Sequence, residues 1–446
     1  MQFQMERKIA FLVFPDWMTA RSKNKSFDGV YNIGAYMLMD VSERAGIKIG
    51  FCSVDSACEF DIVLVSLTSN YDMLSFYKSV RLHRDWQKGK RKFRVLCGGF
   101  GMQNPFLVID FVDSFWFGRC EDEFINWLTI DDYEHESLMY ADRPKVCKIH
   151  QASQLYPHVF KLKSDVKRYN DFEERIYGCP NKCFFCHFSF SRKHIKTGQH
   201  YQGIKEGKGH QELDMFNLED IDYNCGETII GLDGVSERLR FLVNKPIKDE
   251  LVSETILNIS NKTTAKVAFL KFYNISGYET EKDEDYESFV EIVSRLKSKM
   301  KTKVSLMLHT TPLQPSCATP MVFAPVNIKT KFSNMRGQRI IPDSEKLIVM
   351  HSPYNGGAWQ QFCDVAVERF QEKYRPLVDL ICFNSKFKAL KSAQKIDYCE
   401  RHFDLGDLLR RYETTEQVPS WVCESYLGWE TIRKMRDFMV EKIDSK

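Results

Sequence analysis

No uninterrupted apolar stretch in the sequence approaches the ~20 residues that a membrane-spanning helix needs, so no helical span is expected. The opening segment MQFQMERKIAFLVF is too short and wrongly flanked for a secretory signal, and a cytoplasmic location is the expectation. A dominant charge is also missing. The 63 Lys and Arg residues face 60 Asp and Glu, leaving a net charge of +3 with no basic tail. That balance permits a nucleic-acid substrate without indicating one. Glycine (23) and proline (14) are sparse, and no repeat or low-complexity segment occurs, which excludes fibrous and disordered classes.

What is present is an ordinary globular composition of 43% hydrophobic, 13% aromatic and 28% charged residues over 446 positions, long enough for more than one core. The 14 cysteines, in a long cytosolic chain, point to metal ligation or burial before disulfides. Eleven are scattered and three are grouped.

Hydrophobic periodicity divides the chain into three blocks. KIAFLVF reads as a buried parallel strand, and NIGAYMLMDVSERAG as a helix capped by Gly46. IKIGFCSV, DIVLVSLT, FRVLCGG and SFWFG continue as strands, with helices at YDMLSFYKSVRLHRDWQKG and EDEFINWL. This predicts a doubly wound, Rossmann-like α/β domain over residues 1–150. From 171 to 330 the strands ETIIGLDG, AKVAFLKFYNI and KVSLMLHTTP alternate with the helices SERLRFLV and EDYESFVEIVSRLKSK, which predicts a partial β/α, TIM-like barrel. Residues 331–446 become mainly helical, as in WQQFCDVAVERFQEKYRPLVDLICF and WETIRKMRDFMVEKI, and are expected to pack on the barrel. The polar, Gly-punctuated stretch 196–211 reads as a loop.

Chemistry concentrates in RIYGCPNKCFFCHFSFSRKH, where Cys179, Cys183 and Cys186 stand at C-x3-C-x2-C directly after a predicted strand. Three thiolates on one loop can hold three irons of a cubane and leave the fourth without a protein ligand. A zinc site is the alternative, with His187 or His194 near enough to serve as fourth ligand. This segment resembles the radical S-adenosylmethionine (SAM) superfamily, whose signature has the same spacing and an aromatic residue, here Phe185, before the third cysteine. Gly178 and Pro180 also suit it.

The resemblance implies a 4Fe-4S cluster, SAM as cofactor and an external electron donor such as flavodoxin or ferredoxin. It extends to IIGLDGVSERLRFLVNKPI, similar to the fourth-strand region of that barrel, and implies SAM contacts from Asp233, Ser236, Arg238 and Lys245. Asp233 stands where many relatives carry the longer Glu. LKFYNISGYETEKDEDY is similar to the fifth-strand segment, with Gly277 permitting a tight turn and the acidic run opening a helix. In it Lys271 and Tyr273 compete as inward-pointing side chains, since alternation sends one face inward. HTTPLQPSCATPM resembles the proline-rich end of the barrel in relatives with an N-terminal cobalamin-binding-type domain, and is expected to form a rigid loop beside the substrate opening.

Residues 1–150 resemble that domain at NIGAYMLMDVSERAG, EFDIVLVSLT, CGGFGMQNP and FGRCEDEF, which admits cobalamin as a further cofactor. The Asp-x-His-x-x-Gly motif is missing, so no histidine ligand to cobalt is expected. Nor does the domain carry the three cysteines of a second cluster: Cys97 sits at a predicted strand end, and Cys52, Cys58 and Cys120 are read as buried thiols.

The expected function is reductive cleavage of SAM, followed by rearrangement or group transfer at a substrate carbon. An aminomutase-like isomerisation of a modified nucleobase in DNA or RNA is one version, suggested by the basic, His-containing loop at 192–210. A cobalamin-dependent methyltransferase is the alternative, and a non-catalytic iron-sulfur or zinc protein the competing class. His309 and His351 are candidate proton donors. Tyr354, Gly356 and Gly357 mark a tight loop.

Overall fold

The computed structural model describes residues 7–14, 32–87, 89–161, 171–174, 176–196, 210–214, 221–223, 225–328, 347–353 and 357–444. It is a mixed α/β protein with two main sheets.

The first sheet holds β1 (Ile9–Val13), β2 (Ile49–Phe51), β3 (Ile62–Ser66), β4 (Arg94–Gly98), β5 (Ser114–Trp116) and β6 (Leu138–Tyr140) in the order β2-β1-β3-β4-β5-β6. All pairings are parallel except β5 with β6. Its central strands are apolar through their middles, with Ser66 and Arg94 at strand ends, because both faces are covered. Ala10, Leu12, Val63, Val65, Val95 and Cys97 enter one core, and Ile9, Phe11, Ile62, Leu64 and Leu96 enter the other. The helices α1 (Ile33–Arg44) and α3 (Phe124–Thr129) lie over the second face, and α2 (Asn70–Val80) over the first. Asn32 caps α1 by accepting from the Ala35 N–H, and Gly46, at φ +77°, follows its end.

Three short strands lead onward: β7 (Cys147–Lys148), then β8 (Phe160–Lys161) paired antiparallel with β9 (Asp171–Phe172). The hairpin β10 (Ile176–Tyr177) with β11 (Ile195–Lys196) brackets the cysteine segment and α4 (His187–Ser191).

The second sheet is entirely parallel and sequential: β12 (His210–Asp214), β13 (Glu227–Gly231), β14 (Val267–Ser276), β15 (Lys303–Pro312) and β16 (Leu347–Pro353). Along β14 and β15 burial alternates. Ala268, Leu270, Phe272, Val304, Leu306 and Leu308 pack beneath α5 (Glu237–Leu242), α6 (Asp249–Lys262) and α7 (Asp283–Leu296), while on the other face the intervening residues are half-buried, apart from Phe269, which is exposed. The fifth strand, β16, lies beyond residue 330, in the stretch read from the sequence as helical. The resemblance-derived expectations for 277–285 hold: Gly277 has φ +90°, and Asp283, Glu284 and Asp285 occupy the first turn of α7.

The C-terminal region is helical from α8 (Gly357–Glu368) through α9 (Arg375–Phe383), α10 (Ser385–Ala389), α11 (Ser392–His402), α12 (Gly406–Leu409) and α13 (Trp429–Asp444), interrupted by β17 (Cys423–Glu424), which pairs with β7. It does not pack on the second sheet alone. Phe362, Val365, Leu377, Val378 and Cys399 join the core of the first sheet, whereas Trp429, Ile432 and Met439 join that of the second.

Candidate functional site

The cysteine loop is held by its backbone. Phe184 donates its N–H to the Val243 carbonyl (2.9 Å), and its own carbonyl accepts from the Met321 N–H (3.2 Å). Asn244 Nδ2 donates to the Lys182 carbonyl (2.9 Å), and Lys182 Nζ donates to the Ser189 carbonyl (2.6 Å). Gly178 is required at the entry: its φ is +69°, and a Cβ there would lie 2.6 Å from the Lys193 carbonyl oxygen. These contacts fix the loop over the carboxyl ends of the second sheet.

Cys183 is buried and Cys179 and Cys186 are half-buried. Burial pushes the Cys183 thiol up to about 12, with the Lys245 ammonium opposing and Asp233, Cys186 and Cys179 adding to the rise. The three thiols, Asp233 and Lys245 therefore share one electrostatic neighbourhood. Among the described residues no three His, Cys, Asp or Glu side chains converge as a group able to hold a metal ion. His187, one of the two candidate zinc ligands, has its Nδ1 on a backbone carbonyl, so that only Nε2 could ligate a metal. Its Nδ1 lies 2.8 Å from the Cys317 carbonyl oxygen, its ring packs edge-on against Phe100, and burial lowers its pKa to about 4, so the imidazole is neutral. His194 lies just before β11.

The other predicted site residues separate into two groups. Lys245 Nζ donates to Asp233 Oδ2 (2.6 Å) and to the Gly231 carbonyl (2.7 Å). Asp233 adopts φ +59°, and its backbone is held by N–H donation to the Tyr273 carbonyl (2.9 Å) and by the Tyr278 hydroxyl donating to its own carbonyl (2.7 Å). Gly231 leaves room for this pair, because a Cβ there would stand 3.3 Å from Lys245 Nζ. Ser236 and Arg238 instead converge on Asp285. Ser236 Oγ donates to Oδ1 (2.5 Å) while also capping α5, and Arg238 Nε donates to Oδ1 (3.1 Å) with Nη2 on Oδ2. Their polar groups brace α5 to α7.

Lys271 and Tyr273 do not compete for the inward face. Residues two apart on a strand share a face, and Lys271 Nζ lies 4.8 Å from the Tyr273 ring centroid. Tyr273 in turn meets the His309 ring edge-on at 5.3 Å. The opening side of the second sheet thus carries an ammonium, a phenol and an imidazole, a grouping missed in the sequence although the i, i+2 spacing carried the signal. His351 lies on β16. Tyr354 and Gly356, and residues 197–209 of the basic loop, lie outside the described residues, and Gly357 begins α8.

In the first sheet, strand order reverses between β1 and β3, where a crevice forms at carboxyl ends. The cavity there is about 150 Å³, lined by residues including Gly34, Ser66, Gly99, Trp116 and Arg119. That is below the roughly 300–1,000 Å³ of small-molecule pockets. Arg119 is bound by Glu121 and by Glu174 at 2.7 Å. The glycines that carried the resemblance here serve backbone packing: a Cβ on Gly99 would lie 2.2 Å from the Leu67 carbonyl oxygen, and one on Gly118 2.4 Å from that of His150. Cys52 is buried as expected, Cys120 is half-buried and Cys58 is exposed, so burial does not account for Cys58; Cys97, on β4, is buried too.

No protein-family model matches the chain, and no curated protein matches it. Among the described residues no helix is long and apolar enough to cross a membrane.

Proposed function

We propose that this chain is a radical SAM enzyme in which Cys179, Cys183 and Cys186 hold a 4Fe-4S cluster. The observation that carries the reading is the C-x3-C-x2-C spacing on one short loop, with Phe185 before the third cysteine, beside the Asp233–Lys245 pair; among the described residues the three thiols do not themselves converge as a metal-holding group. On this reading the five-stranded sheet is a partial radical SAM barrel, and the six-stranded sheet a Rossmann-like domain beside it.

The donor set suits the group in number and chemistry, since thiols suit iron, and the adjacent Lys245 ammonium opposes the rise that burial imposes on the Cys183 thiol. When bound, the cluster would supply an electron to the SAM sulfonium and so yield a 5′-deoxyadenosyl radical. The chain's own residues then position and enclose. Asp233 and Lys245, whose charges act on Cys183, would meet the polar groups of SAM; Ser236 and Arg238 act through the placement of α5; and Phe185, within the cysteine loop, lines the neighbouring cavity. Lys271, Tyr273 and His309 face the opening, where hydrogen abstraction and rearrangement of a substrate carbon would take place. An external one-electron donor such as flavodoxin or ferredoxin is the implied partner. Cobalamin is given no residue and no step, because the Asp-x-His-x-x-Gly motif is missing.

Anaerobic reconstitution with iron, sulfide and reductant tests the proposal. Iron-sulfur absorbance and 5′-deoxyadenosine release from SAM are expected, and both should vanish in Cys183→Ala and persist in Cys399→Ala. Iron-sulfur absorbance without SAM cleavage would leave the non-catalytic class; the absence of both signals in the wild type would overturn the iron-sulfur assignment.

A further inference from the structure

Residues 384–395, which form α10 and the start of α11, hold Lys386, Lys388, Lys391 and Lys395 and no Asp or Glu. Lys386, Lys388 and Lys391 are exposed, and Lys395 is half-buried with its Nζ 5.3 Å from the Trp359 ring centroid. Lys388 donates to the Cys382 carbonyl, and among the described residues none of the four sits in an ion pair. Cations gathered without counter-charge repel one another, and a polyanion relieves that repulsion.

Helical spacing adds rings to the same stripe. Lys391 caps α11, and Lys391, Lys395, Tyr398 and His402 stand at i, i+4, i+7 and i+11, along one face of that helix. Tyr398 meets Phe387 edge-on at 5.5 Å, and the His402 ring stacks on it at 4.0 Å and 11°. His402 Nδ1 lies 2.8 Å from the Tyr398 carbonyl oxygen, which holds the imidazole parallel to the phenol. His402 is exposed, so the stack ends on a flat ring open to solvent.

Cations followed by an open stack match the two chemistries of a single strand, phosphates for the lysines and a base face for the ring. A lipid surface is disfavoured, since Tyr398 is the one large apolar side chain exposed on α10 or α11. A duplex keeps its base faces in its own stack. We propose that the α10–α11 face docks single-stranded nucleic acid, with Lys386, Lys391 and Lys395 on phosphates and a base stacked on His402. This face borders the opening of the second sheet. Gln360, which follows Trp359, lines with Gln361 and Asp364 the α8 wall of a cavity of about 330 Å³ that Phe185 also lines. The docking surface goes beyond the radical SAM reading and stands without it.

Binding of the full-length protein to labelled oligothymidylate and oligouridylate of about 15 nucleotides is to be followed by fluorescence anisotropy across a salt series. At least one strand should bind, more weakly as salt rises, and the ratio of the two assigns DNA or RNA as the source. The double variant Lys391→Gln, Lys395→Gln should lower the slope of log affinity against log salt by about 1.4, at roughly 0.7 per phosphate contact. His402→Ala should weaken binding about tenfold, and His402→Phe, which restores a ring, should recover it. Polyglutamate of matched charge, an anion without bases, should compete at least about tenfold less well than unlabelled strand. No binding of either strand by folded protein overturns the inference. So does equal competition by polyglutamate, or an affinity that His402→Ala leaves unchanged, because the face would then read charge alone. Should the His402 variants fail to fold, the lysine pair and the competition decide. Release of 5′-deoxyadenosine from SAM, assayed without nucleic acid, keeps this failure distinct from failure of the radical SAM reading.

Discussion

Arg238 offers the sharpest test of how the site is built, because resemblance and geometry assign it different work. A SAM contact requires a free guanidinium, whereas the structure spends it on Asp285, whose carboxylate also accepts from Ser236 Oγ (2.5 Å) and from the Lys282 N–H (2.8 Å). Arg238 further donates to the Thr280 carbonyl at 2.7 Å. The Asp285 side chain is 5% exposed and that of Arg238 30%. A hydrogen bond to a charged group contributes about 1.5–3 kcal/mol. Partial exposure of the arginine places the pair at the lower end, so a coupling of about 1.5 kcal/mol is expected. The perturbation is the double-mutant cycle of Arg238→Met and Asp285→Asn. Hydrogen exchange of peptides spanning α5 and the first turn of α7 reads the local stability that the brace supplies. Each single variant should lose protection in both helices, and the double variant should lose less than the sum. If Arg238→Met leaves protection unchanged while weakening SAM binding tenfold or more, the brace is refuted and the direct contact stands.

Arg369, 2% exposed, donates to the carbonyls of Leu408, Arg410, Val322 and Ala324 and lies over the Tyr412 ring; Arg369→Met should destabilise the protein by about 3–5 kcal/mol, seen as a lower urea midpoint. Gly99→Ala forces a Cβ to within 2.2 Å of the Leu67 carbonyl oxygen at φ +113°, and a loss of about 3 kcal/mol in a chemical melt is expected; an unchanged midpoint would mean that the loop after β4 moves freely. Burial raises the Glu368 carboxyl from 4.5 to about 7. The folded protein therefore holds this proton more tightly than the unfolded chain does, and the contribution is complete below about pH 4.5 and lost as pH rises to about 7. Glu368→Gln should flatten that fall in urea midpoints recorded across the same interval, and an unaltered slope would remove Glu368 as its source.

The sequence was most readable where one rule acted alone. IAFLV matches β1 because a parallel strand covered on both faces reads as an apolar run, and KVSLMLHTTP matches β15, Lys303–Pro312, through alternation, with Val304, Leu306 and Leu308 on the covered face. The acidic run before α7 marked its first turn through the helix dipole. Tertiary choices were less readable. β6 has three residues and earns its place only by pairing antiparallel with β5. Nothing in the apolar spacing of α8 and α9 said that they cover the first sheet and not the second. Gln361, Asp364 and Glu368 form a polar stripe at i, i+3 and i+7 that ordinarily marks a solvated face. Yet Phe362, Cys363, Val365, Ala366 and Val367 are buried as well, so α8 is enclosed on all sides and its polar stripe is internal. The cysteine spacing was plain from the sequence, whereas the division of Asp233 and Lys245 from Ser236 and Arg238 depended on where α7 placed Asp285.

That internal stripe also explains why the first sheet is present at all beside the second. Glu368 Oε1 accepts from Asn70 Nδ2 (3.0 Å) at the start of α2 and from Gln314 Nε2 (2.7 Å) beyond β15. Gln103 Oε1, from the loop after β4, accepts from the Cys317 N–H (3.2 Å). Phe100, in the same loop, packs against His187, and the Arg192 guanidinium lies 4.7 Å from its ring centroid. Each contact joins a carboxyl-end loop of the first sheet to the rim of the second sheet's opening or to the cysteine segment. Among the described residues the crevice of the first sheet is small and its Arg119 is already paired. What the first sheet supplies is the far anchor of the α8 wall, so the geometry of Gln361 and Asp364 depends on a unit that need not touch the reacting group.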